Sequence, residues 1–159
     1  MDILLEEHKR FLLLLLKHEV EFMLIGGYAV IYYGYERGTA DMDIWLKPTN
    51  ENRDKFIDAA MEHGISVETA KALKSMDFES AKVLTIGNRP SQIDFLTKVQ
   101  GLTYDEADKK KRMFPLKDKF IPIIQYNHLI IMKMITGRPQ DKIDVDMLQK
   151  LNRKPNEEK

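Results

Sequence analysis

The hydrophobic positions of the chain change their spacing repeatedly, which predicts helices and strands in alternation. Residues 2–18 are charged at first and leucine-rich later, a pattern that predicts a helix packed on a core. Residues 22–25 form a short apolar run, as expected of a buried strand, and residues 28–33 are predicted to form a short helix. Apolar and other side chains alternate through residues 41–46, which is the period of a strand.

The same alternation continues along the rest of the chain. A capping residue followed by an acidic first turn predicts a helix from about residues 48–51 to residue 63, and a further helix is predicted at 67–75. The remaining predictions are strands at residues 82–86, 92–96 and 120–124, and helices from residue 103 into a lysine run, at 126–135 and at 141–151. The expected fold class is therefore α/β (or α+β), a small mixed β-sheet flanked by helices with a helical C-terminus.

The composition fits one domain of 159 residues, or a catalytic domain with a small appended helical piece. The chain has no cysteine, which excludes disulfides and thiolate metal sites and fits a reducing, cytoplasmic location. The one conspicuous apolar run, residues 11–16, is much shorter than the ~20 residues that span a bilayer. No small-residue cleavage site follows it, so neither a membrane partner nor a signal peptide is expected.

The charges balance, with 25 lysines and arginines against 25 aspartates and glutamates, so no global positive field attracts nucleic acid. The densest basic cluster comprises Lys109, Lys110, Lys111 and Arg112. Such a run is usually a solvated face, although it is also the best candidate for a local nucleic-acid patch.

Two aspartates, Asp41 and Asp43, are the first candidates for chemistry. They are two residues apart in a predicted strand, so both carboxylates project from one face. Adjacent carboxylates repel each other unless a cation neutralises them, and Mg²⁺ is a suitable hard cation because it also bridges to phosphates. The alternative is a strand edge with two solvated aspartates.

The glycine pair Gly26–Gly27 closes the strand at 22–25 and precedes the short helix. Glycines allow a ligand to approach the backbone, and a helix start offers unpaired N–H groups, so the pair is a candidate phosphate cradle. An ordinary tight turn is the alternative. A third acid, Asp94, lies in the strand at 92–96 and can complete a metal site if that strand neighbours the one with Asp41 and Asp43.

Two basic residues are candidate nucleotide ligands. Arg37 could grip phosphate with its guanidinium fork or pair with one of the nearby aspartates. Lys133 lies in an apolar helical segment, where it either faces a nucleotide or extends along the surface to reach water.

Taken together, these residues resemble the minimal nucleotidyltransferases of the DNA polymerase beta superfamily, especially stand-alone prokaryotic groups that include abortive-infection toxin-like members. The matching residues are Leu24-Ile25-Gly26-Gly27-Tyr28-Ala29-Val30, then Gly34, Arg37, Thr39, Asp41-Met42-Asp43-Ile44, Asp94, and the stretch 127–133 with Arg138, Asp141 and Asp144. The resemblance implies a catalytic domain over residues 1–124, a C-terminal helical pair over 125–152 and a polar tail over 153–159.

The resemblance also implies a role for each group of residues. Gly26 and Gly27 would hold a nucleoside triphosphate, and Asp41, Asp43 and Asp94 would bind two Mg²⁺ ions, with Mn²⁺ as a substitute. The reaction would transfer a nucleoside monophosphate to an acceptor, which is a small molecule, an RNA or a protein. The alternative function is a catalytically silent module of the same fold that binds a nucleotide or a cognate partner protein.

Overall fold

The computed structural model describes residues 4–39 and 41–153. These ranges contain seven helices and six strands. The helices are α1 (Glu6–Lys17), α2 (Gly26–Tyr32), α3 (Asn50–His63), α4 (Val67–Lys74), α5 (Tyr104–Lys110), α6 (Tyr126–Thr136) and α7 (Pro139–Leu151). The strands are β1 (Phe22–Ile25), β2 (Met42–Leu46), β3 (Val83–Ile86), β4 (Ile93–Leu96), β5 (Arg112–Leu116) and β6 (Lys119–Ile123).

All six strands form one mixed sheet in the order β3-β4-β2-β1-β6-β5. The β1–β6 and β2–β4 pairs are parallel, whereas β1–β2, β3–β4 and β5–β6 are antiparallel. Strand β1 is buried along its whole length, as expected of a central strand covered on both faces. The expected fold class, a mixed sheet flanked by helices, is confirmed.

One face of the sheet carries the aromatic core. The ring of Phe95 on β4 lies 5.4 Å from Phe11 of α1 and 4.7 Å from Phe56 of α3, measured between ring centroids. Side chains alternate along a strand, so Asp94, next to Phe95, projects from the opposite face. Asp43 does the same beside the buried Ile44, and the aspartates therefore lie away from the α1–α3 layer.

Local sequence signals explain most element ends. Thr49 caps α3 by accepting a hydrogen bond from the backbone N–H of Asn52, and Gly64 ends that helix with a φ of 123°. Thr103 and Glu106 form the expected capping box at the start of α5. No described helix has the length and apolar character needed to cross a membrane.

The structure corrects several boundaries, mostly by one or two residues, and adds one strand. Helix α1 begins at Glu6, α2 at Gly26 rather than residue 28, and α7 at Pro139 rather than 141, because a proline suits the first turn of a helix. The last strand is Lys119–Ile123 rather than 120–124. The predicted helix does extend into the lysine run, since α5 ends at Lys110. Strand β5 was not predicted from the sequence, and it begins at Arg112, the last residue of the basic cluster. Residue 2 and most of the predicted tail lie outside the described residues.

Candidate active site

The carboxylate trio, Asp41, Asp43 and Asp94, lies on two neighbouring strands. Because β2 and β4 are parallel, Asp43 and Asp94 are direct partners in the strand register and project from the same face. Asp41 directly precedes β2, two residues before Asp43. The strand of Asp94 therefore neighbours the strand of the aspartate pair, which was the condition for a three-carboxylate site.

Asp43 is the most perturbed acid of the trio. Burial, together with the charges of Asp94 and Asp41, raises the pKa of Asp43 from an ordinary 3.8 to about 6. The positive charges of Lys133 and Arg138 act in the opposite direction but do not cancel this effect. The protein by itself thus leaves the negative charge of Asp43 poorly compensated, as expected where a cationic ligand completes a site.

Close packing requires both residues of the glycine pair, at Gly26 against Asp43 of the trio and at Gly27 against Thr39. Gly26 has a φ of 68°, and a Cβ atom there would collide with the carboxylate of Asp43. A Cβ atom on Gly27 would lie 2.8 Å from the Cβ of Thr39. The backbone at the start of α2 consequently lies directly against Asp43, with no side chain between them.

Asp41 and Asp94 differ in how the protein satisfies them. The Oδ1 atom of Asp41 is buried without a hydrogen-bond partner, and the nearest cationic group, Nε of Arg89, is 3.5 Å away. Oδ1 of Asp94 instead accepts hydrogen bonds from Oγ1 of Thr85 at 2.8 Å and from Nε2 of Gln92 at 3.1 Å. A buried carboxylate oxygen without a hydrogen bond is costly, and the long contact with the exposed Arg89 compensates Oδ1 of Asp41 only in part.

The chemistry of the trio fits a hard divalent cation, since such ions take carboxylate oxygens as ligands. The unsatisfied Oδ1 of Asp41 and the raised pKa of Asp43 both agree with this fit. Within residues 4–39 and 41–153, however, no three acidic or histidine side chains are arranged closely enough to enclose a metal ion as they stand. A metal bound by all three would therefore need a side-chain adjustment.

A second charged group, the helix ion-pair network, lies on α6, α7 and the loop before β2. Its members are Arg37, Lys133, Arg138, Asp141 and Asp144. Nζ of Lys133 is 2.9 Å from Oδ2 of Asp144 and 3.1 Å from Oδ1 of Asp141, and the side chains of both acids are almost completely buried. Burial opposes ionisation of Asp141, but hydrogen bonds from Arg138 and Lys133 outweigh it and lower the pKa to about 2.

This network excludes one of the alternatives left open for each of the two basic residues. Arg37 binds Asp144 through two hydrogen bonds, Nε to Oδ1 at 2.8 Å and Nη2 to Oδ2 at 2.9 Å. The idea that it pairs with one of the nearby aspartates is therefore wrong, because its partner comes from α7. Lys133 is only 7% exposed, so the surface-reaching alternative is also wrong.

A cavity of about 750 Å³ joins the two charged groups. Gly26 and the trio line one side of it, and Lys133, Arg138 and Asp141 line another. Arg37 is not among the described residues that line it. Its remaining wall comes from β3, β4, the segments beside β4, and α6. That wall contains apolar side chains together with the polar side chains of Thr85, Gln92, Lys98, Gln100 and Thr136.

Comparison with known proteins was made on both sequence and structure. No protein-family model and no curated protein sequence matches the chain. Two crystal structures do resemble it. The lincosamide antibiotic adenylyltransferase LnuA, lincomycin-bound, has a TM-score of 0.54 at 16% identity, over 94% of this chain and 99% of that one. A Thermotoga maritima protein named as a nucleotidyltransferase has a TM-score of 0.55 at 14% identity, over 89% and 88% of the two chains.

The chain has a nucleotidyltransferase fold. At these identities the likeness establishes the architecture alone, and it does not distinguish one nucleotidyltransferase subfamily from another.

Sequence reasoning missed several groups around the site of this nucleotidyltransferase fold. Gln92 and Thr85 hold Asp94, yet neither was a candidate. Gln92 was detectable, because it is two residues before Asp94 and shares its face if the strand extends that far. Thr85 had no comparable signal, since its role depends on strand pairing. Asp144 was among the residues that carry the resemblance, but its pairing with Arg37 depends on the packing of a distant helix.

Proposed function

We propose that this protein transfers a nucleoside monophosphate from a nucleoside triphosphate to an acceptor hydroxyl and releases pyrophosphate. The observation that carries the proposal is the register pairing of Asp43 with Asp94 directly beside Gly26, at the edge of one cavity. This arrangement puts a close-approach backbone segment and three carboxylates within reach of one ligand.

The glycine pair and the trio would bind the donor nucleotide. Backbone N–H groups of Gly26 and Gly27 would donate hydrogen bonds to the triphosphate, since the first N–H groups of a helix have no partner within it. Asp41, Asp43 and Asp94 would hold Mg²⁺, or Mn²⁺ in its place. When bound, such a cation neutralises the carboxylates and the charge that develops on the phosphates.

The reaction conserves atoms and charge with the groups at hand. The acceptor hydroxyl oxygen forms a bond to the α-phosphorus, the bond to the α–β bridging oxygen breaks, and pyrophosphate leaves in line. Asp94 takes the proton of the hydroxyl in this proposal. The hydrogen bonds from Thr85 and Gln92 to Oδ1 of Asp94 would orient the carboxylate and leave Oδ2 for that proton.

Lys133 is the best-supported cationic ligand for the nucleotide. Its side chain lines the cavity, and its charge is felt at Asp43. Ion pairs with Asp141 and Asp144 fix its position, so it would donate to phosphate without first having to become ordered. Arg37 would contribute indirectly by holding Asp144, because its Nε, Nη1 and Nη2 groups already donate within the protein.

The rival function is a catalytically silent module of the same fold that binds a nucleotide or a partner protein. One observation favours it: no triple of acidic side chains in the described chain encloses a metal site as it stands. The unpartnered oxygen of Asp41 and the raised pKa of Asp43 favour the enzyme, since a silent domain gains nothing from either.

The decisive experiment is calorimetric titration of Mg²⁺-ATP into the wild type and Asp43→Asn. ATP is the first nucleotide to test because LnuA is named as an adenylyltransferase. We expect metal-dependent binding in the wild type and at least a tenfold weaker affinity in Asp43→Asn, since one ligand charge is lost. Asp118→Asn, an exposed aspartate in the β5–β6 turn, is the matched control and should bind like the wild type.

Equal affinities in wild type and Asp43→Asn would overturn the proposed site. Turnover is tested separately by incubating α-labelled nucleotides with cell extract and the protein, then measuring a labelled acceptor and released pyrophosphate. Nucleotide binding without any labelled product across the four common nucleotides would favour the silent module.

A further inference from the structure

We infer that the acceptor is a small hydroxyl compound with an apolar body, rather than a nucleic acid or a protein. This inference rests on the proposed function and concerns the part of the cavity that the nucleotide does not need. Five apolar side chains form that part, which we name the apolar wall: Val83, Leu96, Val99, Met132 and Ile135.

The apolar wall adjoins the carboxylate that would accept the hydroxyl proton. Leu96 is two residues after Asp94 on β4, so the two side chains share one face of the sheet. Val83 on the edge strand β3 is the register partner of Leu96, just as Thr85 is the partner of Asp94. The surface of these two strands therefore changes from acidic to apolar over a distance of two residues.

The order of the strands puts this wall on the acceptor side. Gly26 follows β1, Asp43 is on β2, Asp94 is on β4 and Val83 is on β3, which is also the spatial order across the sheet. In an in-line displacement the attacking and leaving oxygens are on opposite sides of the α-phosphorus. With pyrophosphate held at the glycine pair, the acceptor must approach from the β4–β3 side, where the apolar wall lies.

Helix α6 closes the same region from above the sheet. Met132 and Ile135 line the cavity, and Ile135 packs so closely on Gly101 that a Cβ atom there would collide with its Cδ1. Val83 is 71% exposed and Ile135 39% exposed, so these side chains present apolar area that a ligand could cover. Polar groups occur at the rim, where Lys98 and Gln100 line the cavity and are exposed.

This composition fits an amphipathic small molecule better than a polymer. Small-molecule sites are mostly apolar with a few polar groups that fix orientation, whereas nucleic-acid surfaces are dominated by lysine and arginine contacts to phosphate. Within the described chain, the basic cluster Lys109–Lys111 and Arg112 lines no part of the cavity. A hydroxyl compound on the apolar wall would place its oxygen at Asp94, which takes the proton as the new bond to the α-phosphorus forms.

The test uses two probes that carry the same hydroxyls but differ in apolar body, hexyl β-D-glucoside and methyl β-D-glucoside. Each is titrated calorimetrically into the full chain, with and without Mg²⁺ and the non-cleavable donor analogue α,β-methylene ATP. We expect the hexyl compound to bind at least tenfold more tightly than the methyl compound. A short single-stranded RNA with a free 3′-hydroxyl is the third probe and should bind more weakly than the hexyl compound.

Paired variants locate the binding. Val83→Thr combined with Met132→Gln replaces apolar wall side chains by polar ones of similar size and should weaken hexyl glucoside at least fivefold. Val67→Thr combined with Met61→Gln makes the same changes at exposed residues of α4 and α3 outside the cavity and should have no effect. Equal binding of the two glucosides, tighter binding of the RNA, or equal effects of the two double variants would overturn the inference.

Failure of the inference and of the proposed function are distinguishable. If the nucleotide analogue binds and the glucosides are not discriminated, the acceptor class is wrong and the nucleotide site stands. If the glucosides are discriminated but no nucleotide binds, the wall is an apolar ligand site without a donor, and both the acceptor role and the proposed function are wrong.

Discussion

The carboxylate trio and the helix ion-pair network are both clusters of charge on one cavity, but the protein compensates them differently. In the network, Asp141 and Asp144 are buried and each is contacted by two cationic side chains. In the trio, Asp41 has a buried oxygen without a hydrogen-bond partner, and the pKa of Asp43 is raised to about 6. The pKa of Asp141, in contrast, is lowered to about 2.

The difference separates structural charge from charge that a ligand must complete. A buried carboxylate that is paired with cationic side chains of its own chain contributes to the stability of the fold. Its substitution should therefore destabilise the protein strongly. A carboxylate held beside like charges destabilises the folded state. Such an arrangement is expected where a ligand from outside the chain neutralises the charge. Substituting the same residue type in the two clusters should therefore have opposite effects on stability.

The largest expected effect is in the network. Asp144→Asn should lower the free energy of unfolding by about 3 kcal/mol, because Lys133 and Arg37 would lose their shared buried partner. Urea unfolding at pH 7 measures this change. Asp146→Asn, an exposed aspartate on the same helix paired with Lys150, is the control and should cost well under about 1 kcal/mol. Similar losses of unfolding free energy in the two variants would contradict the structural role assigned to the charges of the network.

Substitution of Asp43 in the trio should change the free energy of unfolding in the opposite direction. When a carboxyl group has a higher pKa in the folded than in the unfolded state, the folded protein becomes less stable as the pH rises. The loss begins near the pKa of the unfolded state and is complete above the pKa of the folded state. For Asp43 that window extends from about pH 4 to about pH 6. In metal-free buffer, Asp43→Asn should thus raise the free energy of unfolding by up to about 3 kcal/mol at pH 7 and by almost nothing near pH 3.5.

Denaturant unfolding across this pH range, with EDTA present, checks the prediction for Asp43. Asp118→Asn, at an exposed turn position, should follow the wild-type profile at every pH. Destabilisation of the Asp43→Asn protein at pH 7 would mean that the chain itself satisfies this carboxylate, as it does Asp144.

The smallest expected effect concerns Arg37, which links the loop before β2 to α7. Arg37→Lys keeps the charge but loses the paired hydrogen bonds to Asp144, so it should cost about 1 kcal/mol of stability. Its affinity for Mg²⁺-ATP should change less than threefold, because Arg37 does not line the cavity. Arg112→Lys, exposed on β5, is the control for both measurements. A larger loss of affinity in Arg37→Lys would indicate direct contact with the nucleotide.

Many of the structural elements around the trio could be predicted from the sequence, because the signals that define them are local or periodic. The alternation through β2 fixed the shared face of Asp41 and Asp43, and the apolar run ending in glycine fixed the bounds of β1. The capping box at Thr103 likewise identified the start of α5. In each case the signal and the structure it predicts lie within a few residues.

The contact between Arg37 and α7 was not accessible, because it joins residues far apart in sequence. Arg37 and Asp144 are separated by 107 positions, and nothing local to either identifies the other. Strand β5 was missed for a related reason: it is an edge strand whose position depends on pairing with β6, and a run of lysines obscures its start. Pairing and packing between distant segments override local preference in both cases.

The register of β2 and β4 also bears on how such proteins can diversify. The alignment of Asp43 with Asp94 is maintained by backbone hydrogen bonds between the two strands, not by the length of the intervening chain. Residues added to the turn at 87–92 would leave the two carboxylates side by side while reshaping the rim around them. New substrate preferences could arise there by insertion and deletion, without disturbing the acids on which the chemistry depends.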